Sequence, residues 1–116
     1  ACIDLFEQNN LIPHIQQSAA IIASRLTELN DNPHVLDIRQ RGLMVGIELC
    51  QDRSRREPFD FSKRTAAQLC LSMREKGLII RPLGDVMVLM PIPAMSHDLL
   101  HQMMDVVLET IRDWKW

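Results

Sequence analysis

The stretch VLDIRQRGLMVGIELC, residues 35–50, constrains the fold more than any other part of the chain. Leu43, Val45, Ile47 and Leu49 alternate with Met44, Gly46, Glu48 and Cys50, so an extended chain presents one uniformly apolar face. The stretch is rich in β-branched and apolar residues and is divided by Gly42, which predicts two strands or one long bent strand. A sheet with one apolar face needs a second layer to cover it. Upstream, Ile12, Ile15, Ala19, Ile22, Leu26 and Leu29 recur at steps of three and four from Leu11 onward, the period of one buried helix face. Pro13 falls in that helix's first turn, where an N–H has no intrahelical partner anyway. NDNP, Asn30 to Pro33, stops the helix.

Downstream, QDRSRREPFDF is polar and broken by Pro58, which reads as a loop. Ser62 is expected to cap a helix running through Lys76, with Phe61 stapled onto Ala66. Ala66, Leu69, Cys70 and Met73 would form its inner face, and Gly77 suits the left-handed residue beyond its end. Two short strands follow, Leu78 to Arg81 and Val86 to Met90, separated by Pro82, Leu83, Gly84 and Asp85. Ser96 caps a last helix whose Leu100, Met103, Val107, Ile111 and Trp114 make one stripe. The order of elements implies one α+β domain in two layers, helices packed on a small, mainly antiparallel sheet.

Length and composition agree with that: 116 residues, 47% hydrophobic and 24% charged, fit one domain with a real core. A net charge of -2 gives no electrostatic footprint for nucleic acid or a membrane surface, and neither partner is expected. No apolar run is long enough to cross a bilayer and ACIDLFEQNN lacks signal-peptide features, so a cytoplasmic location is expected. Cys2, Cys50 and Cys70 are odd in number and too far apart for paired-ligand spacing, which favours reduced, buried thiols. The chain opens on Ala1 with a helix-like pattern already running, from which we expect it to be part of something longer.

Few residues offer chemistry. His97 and His101 have the four-residue spacing of a shared metal, but lack a third ligand and fall outside the apolar stripe, so two solvated histidines are expected. DRSRRE with Lys63 and Arg64 is a basic patch interrupted by acids, with 4% aromatics for base stacking, and reads as a solvated loop. Met44, Met73 and Met103 read as core gap fillers. Arg81 stands apart. An arginine ending a strand most often pairs with a carboxylate or reaches solvent. Flanked by Ile80 and Pro82, however, its planar fork has what two-point capture of a substrate carboxylate requires.

GLIIRPLGDVMVLMP, together with VLDIRQRGLMVGIELCQDR, resembles the C-terminal part of the class III, fold-type I aminotransferases, which use pyridoxal 5'-phosphate. Within that class, RPLGD followed by VLMP is similar to the diaminopelargonate-forming branch of biotin synthesis. The resemblance covers nearly the whole chain. It implies a small domain, residues 1–116, of a homodimeric parent that passes the amino group of S-adenosylmethionine to 8-amino-7-oxononanoate, giving 7,8-diaminononanoate. It also implies that Arg81 binds the keto-acid carboxylate, with Leu83 and Gly84 next to approach the substrate. The family's MPP is MPIP here, with Ile92 in place of the second proline. The cofactor's lysine and phosphate loop would belong to a large domain outside this chain. Lys63 and Lys76, at the ends of a surface helix, and Lys115, near the C-terminus, lack the buried setting such a lysine needs, so the cofactor is not expected on this piece and the piece alone is expected to be inactive. Two other readings stay open, another class III ω-amino acid transaminase and a free-standing ligand-binding module.

Overall fold

Two hairpins build the sheet, and three helices cover one of its faces. The computed structural model of the chain describes residues 2–116. Strand β1, Val35–Arg41, turns through Gly42 and Leu43 into β2, Met44–Leu49, antiparallel, with Arg41 opposite Met44. Gly42 takes φ 58, a value open to glycine at little steric cost. The second hairpin joins β3, Arg81–Leu83, to β4, Val86–Leu89, and β4 also pairs with β2. The sheet order is β1-β2-β4-β3, all antiparallel. Of the two open readings of residues 35–50, two strands is the one found.

Alternation sorts the two faces. Val45, Ile47, Leu49, Met87 and Leu89 are buried against the helices. Ile38, Ile47, Met87 and Pro82 form one cross-strand row on this face, and Arg39, Gly46, Val88 and Arg81 form a row on the other. Helix α1, Cys2–Gln8, leads into α2, Leu11–Leu26, and α3 and α4 span Thr65–Glu75 and His97–Asp113. α2 packs on α4, α4 on α3, and α3 over the second hairpin. Ile22, Leu26, Leu69, Met73, Leu100, Met103, Val107 and Ile111 are buried as their periodicity predicts, and Met104 and Leu108 join them on a stripe wider than expected. Each such side chain contributes roughly 1.5–3 kcal/mol by leaving water. The Gln40 side-chain amide donates to the Ala19 carbonyl and ties β1 to α2.

The helix ends are partly as expected. Ser96 accepts from the Leu99 N–H at 3.3 Å and caps α4. Gly77, at φ 88, donates to the Arg74 carbonyl while Leu78 donates to that of Met73, the paired bonds that close a helix on glycine. The start of α3 differs. Asp60 accepts from the Ser62 N–H and hydroxyl and caps a short 3-10 turn, Phe61–Lys63, and α3 begins only at Thr65 after Arg64 has turned left-handed at φ 48. Phe61 is 85% exposed and staples nothing, because the extra turn carries it away from Ala66. Met44 is also exposed, lying on the outward side of β2, whereas Met73 and Met103 are in the core.

Cys50 and Cys70 are buried free thiols, as their lack of pairing implied; the side chain of Cys2 lies outside the described residues. Burial pushes the Cys50 thiol up and carries that of Cys70 up to about 11. At pH 8 this leaves Cys70 about 100-fold less thiolate than an ordinary cysteine. In a Cys2→Ser chain we therefore expect Ellman's reagent to modify both thiols far more slowly when folded than in urea, with Cys70 the slower. Equal rates in the two states would contradict this packing.

Candidate functional site

Arg81 opens β3, and the chain leading to it explains why its side chain faces outward. After Gly77, Leu78 and Ile80 are half-buried while Ile79 is exposed, and the alternation continues through exposed Arg81, half-buried Pro82 and exposed Leu83. The extended path thus starts at Leu78 as predicted, but ladder pairing begins at Arg81, opposite Val88, so β3 runs Arg81–Leu83 rather than Leu78 to Arg81. Pro82 and Leu83 belong to the strand, leaving Gly84 and Asp85 as a two-residue turn. Gly84 takes φ 60 at the first turn position, where tight hairpins place glycine.

Among the described residues, no carboxylate lies within ion-pair distance of the Arg81 guanidinium and no hydrogen bond engages it. Arg39, in the same cross-strand row, differs: it pairs with Glu48 at 3.0 Å and Asp37 at 3.6 Å. Arg81 has an apolar setting instead. It lies on a groove of about 380 Å³ with Ile79, Val88, Met90 and Ile92, and Ile79, Met90 and Ile92 are all more than half exposed. Sequence reading singled out Arg81 but missed these groove neighbours. The apolar outward positions of an otherwise alternating stretch were the available signal. Leu83, 74% exposed, shares Arg81's face of the strand, and Gly84 has open space where a Cβ would stand. The hairpin therefore presents a free planar fork beside apolar surface, an arrangement suited to a carboxylate on a hydrocarbon chain.

The turn carries one more titratable group. Loss of water pushes the Asp85 carboxyl above the usual range, and neighbouring Glu48 adds to the rise. A carboxyl raised on folding favours the folded state at low pH, and that contribution is lost as pH climbs through the folded value. Asp85→Asn is thus expected to raise stability slightly at neutral pH and to flatten the loss between acid and neutral pH. Urea midpoints of both chains at several pH values would check this, and a lowered neutral midpoint would contradict it.

The other candidates fall away. His101 is exposed and 3.5 Å from Arg25, whereas His97 stacks on His14 with ring centroids 4.6 Å apart, so the expectation that both are solvated is wrong for His97. Its Nε2 is buried, and His14 Nε2 donates to the Met95 carbonyl at 2.8 Å. No group of three metal-ligating side chains occurs among the described residues. The DRSRRE loop closes on itself through an Asp52–Glu57 bridge and an Arg55–Asp52 pair at 3.5 Å. Among the described residues no helix is long and apolar enough to cross a membrane. Lys63, Lys76 and Lys115 are all exposed. None has the desolvated setting of an amine held covalently on pyridoxal phosphate, so these residues do not fit that cofactor.

Comparison with known proteins assigns the architecture. The chain is 45% identical over 111 residues to the adenosylmethionine-8-amino-7-oxononanoate aminotransferase of Anoxybacillus flavithermus, a match covering 96% of this chain and 24% of that protein. The solved enzyme of the same name from Methanocaldococcus jannaschii superposes with a TM-score of 0.91 at 31% identity, covering 98% of this chain and 26% of that one. A PMP-bound aminotransferase from Vibrio fluvialis superposes at 0.88 and 27% identity, covering 96% and 24%. The chain thus spans about a quarter of the length of the proteins it matches. The class-III aminotransferase family model matches residues 1–111, and with the sheet, hairpin and final helix shared with solved relatives, the chain belongs to the class-III aminotransferases.

Proposed function

We propose that the chain is the C-terminal small domain of a longer aminotransferase and supplies the group that holds a substrate carboxylate. Arg81 carries this reading: an unpaired guanidinium at the start of a hairpin strand, beside an apolar groove. Strands fix a side chain better than a loop does, and an arginine fork fits a carboxylate at two points. Leu83 and Gly84 are proposed to approach the same substrate. The parent is proposed to be a cytoplasmic homodimer that uses pyridoxal 5'-phosphate held outside this chain, and to pass the amino group of S-adenosylmethionine to 8-amino-7-oxononanoate in biotin synthesis. The names of the Anoxybacillus and Methanocaldococcus relatives support that substrate pair. Exposed Ile3, Leu5, Phe6, Leu83 and Met90 support burial of these faces in a larger assembly.

The purified full-length enzyme tests the reading directly. Offered S-adenosylmethionine and, separately, ω-amino acids as donors to 8-amino-7-oxononanoate, it is expected to make 7,8-diaminononanoate with the former. The shape shared with the Vibrio fluvialis enzyme favours a second reading, a transaminase for another amine, which turnover with the ω-amino acids alone would support.

A further inference from the structure

The two sides of the Arg81 groove are held in different ways. Arg81 and Val88 stand opposite each other in the β3–β4 ladder, which fixes their backbone. Pro91, Ile92 and Met95, which also line the groove, come from the irregular segment between β4 and α4. Pro91 and Pro93 have no N–H to donate, and the Met95 N–H closes a local turn on the Ile92 carbonyl at 3.0 Å. That bond lies within the segment and does not place it on the domain. Among the described residues, one hydrogen bond ties residues 91–95 to another element. It comes from His14 on α2, whose Nε2–H donates to the Met95 carbonyl at 2.8 Å across 81 residues of chain. A carbonyl can only accept, so this contact sets the ring hydrogen on Nε2.

His14 is held in turn. Half-buried near the start of α2, its ring lies flat on that of His97, the first residue of α4, with centroids 4.6 Å apart and planes within 2°. Pro91 is buried and Met95 packs against the core, but apolar packing is non-directional and leaves the Met95 peptide free to turn. The His14 bond supplies the missing direction. We propose that His14 is a positioning residue for the hydrocarbon chain of the substrate: by holding the Met95 carbonyl it fixes the Ile92–Met95 wall, along which a molecule anchored by its carboxylate on Arg81 lays its methylene groups. The proposal rests on the reading of Arg81 as that anchor. His14 itself is not among the residues that line the groove and acts only through the segment.

The test uses the full-length enzyme at saturating S-adenosylmethionine, with three variants. His14→Phe keeps a ring to stack on His97 and loses the donor; His14→Gln loses the ring and keeps an N–H of similar reach; Arg81→Ala removes the anchor. His14→Phe is expected to raise KM for 8-amino-7-oxononanoate about 3- to 10-fold, with kcat within about twofold, because the wall touches the chain and not the reacting carbon. His14→Gln should stay within about twofold of wild type in KM. Hydrogen exchange of a peptide spanning residues 90–99, without substrate, should quicken at least about threefold in His14→Phe and return towards wild type in His14→Gln. Thermal melts report folding, and His14→Leu, which removes the same donor, carries the same expectation should the phenylalanine variant not fold. An equal KM rise in His14→Phe and His14→Gln, a fall in kcat without a rise in KM, or unchanged exchange in a folded His14→Phe enzyme would overturn the proposal. A KM raised by Arg81→Ala and untouched by His14→Phe would overturn it while leaving the anchor in place; a KM untouched by either would remove the anchor and the proposal with it.

Discussion

Arg81→Ala in the full-length enzyme is expected to weaken use of the keto acid by roughly 30- to 1,000-fold, about 2–4 kcal/mol. On the proposed role, in which the rest of the enzyme closes this exposed groove to water, the substitution removes both arms of the fork and leaves the substrate carboxylate without its partner. The carboxylate is remote from the carbon that reacts, so the loss should appear mainly in KM, with some fall in kcat where orientation suffers. Arg81→Lys should restore only part of it, because an ammonium returns the charge without the planar geometry. No ion pair has to be broken to free Arg81 in the described structure, so the variant should keep its fold. Steady-state kinetics of both variants, paired with thermal melts, separate lost binding from lost structure.

Ile47→Ala should cost about 2–5 kcal/mol of stability, the largest structural effect we expect from a single truncation. Ile47 is fully buried at the centre of the inward row, between Ile38 on β1 and Met87 on β4, with α-helices above it. Both neighbouring strands are fixed by backbone pairing, so the cavity cannot readily collapse. Ile79→Ala is the control: its side chain is 74% exposed, and the change should stay within about 0.5 kcal/mol. Urea unfolding of the two chains checks both numbers, and similar midpoint shifts for the two would mean that the inward and outward faces have been assigned wrongly.

Local rules made most of this fold readable. The alternation from Leu43 to Leu49 identified the buried side of β2, and Gly77 and Ser96 marked helix ends that the hydrogen bonds bear out. The errors arose where a second residue decides, near in the chain or far from it. Ser62 looks like a helix cap by itself, but Asp60 recruits it into a separate turn, and the displaced Phe61 faces solvent. His97 looks solvated by its position on α4, yet its ring lies on His14, 83 residues earlier in the chain. Arg81 was legible as a candidate, but its pairing state was not, because any of the chain's 15 acidic residues could have been folded against it. The apolar groove beside it needed the sheet to bring Val88 and Met90 alongside Ile79.

The central claim is that the Arg81 guanidinium meets a substrate carboxylate, and the most direct measurement removes each partner in turn. Wild-type enzyme and Arg81→Ala would each be assayed with 8-amino-7-oxononanoate and with its methyl ester, which keeps the chain and the ketone but loses the charge. Wild type should disfavour the ester by roughly 30- to 1,000-fold in kcat/KM, while Arg81→Ala should treat acid and ester alike to within about threefold. An ester penalty of equal size in both enzymes would show that the carboxylate is held elsewhere, and would contradict the role assigned to the hairpin.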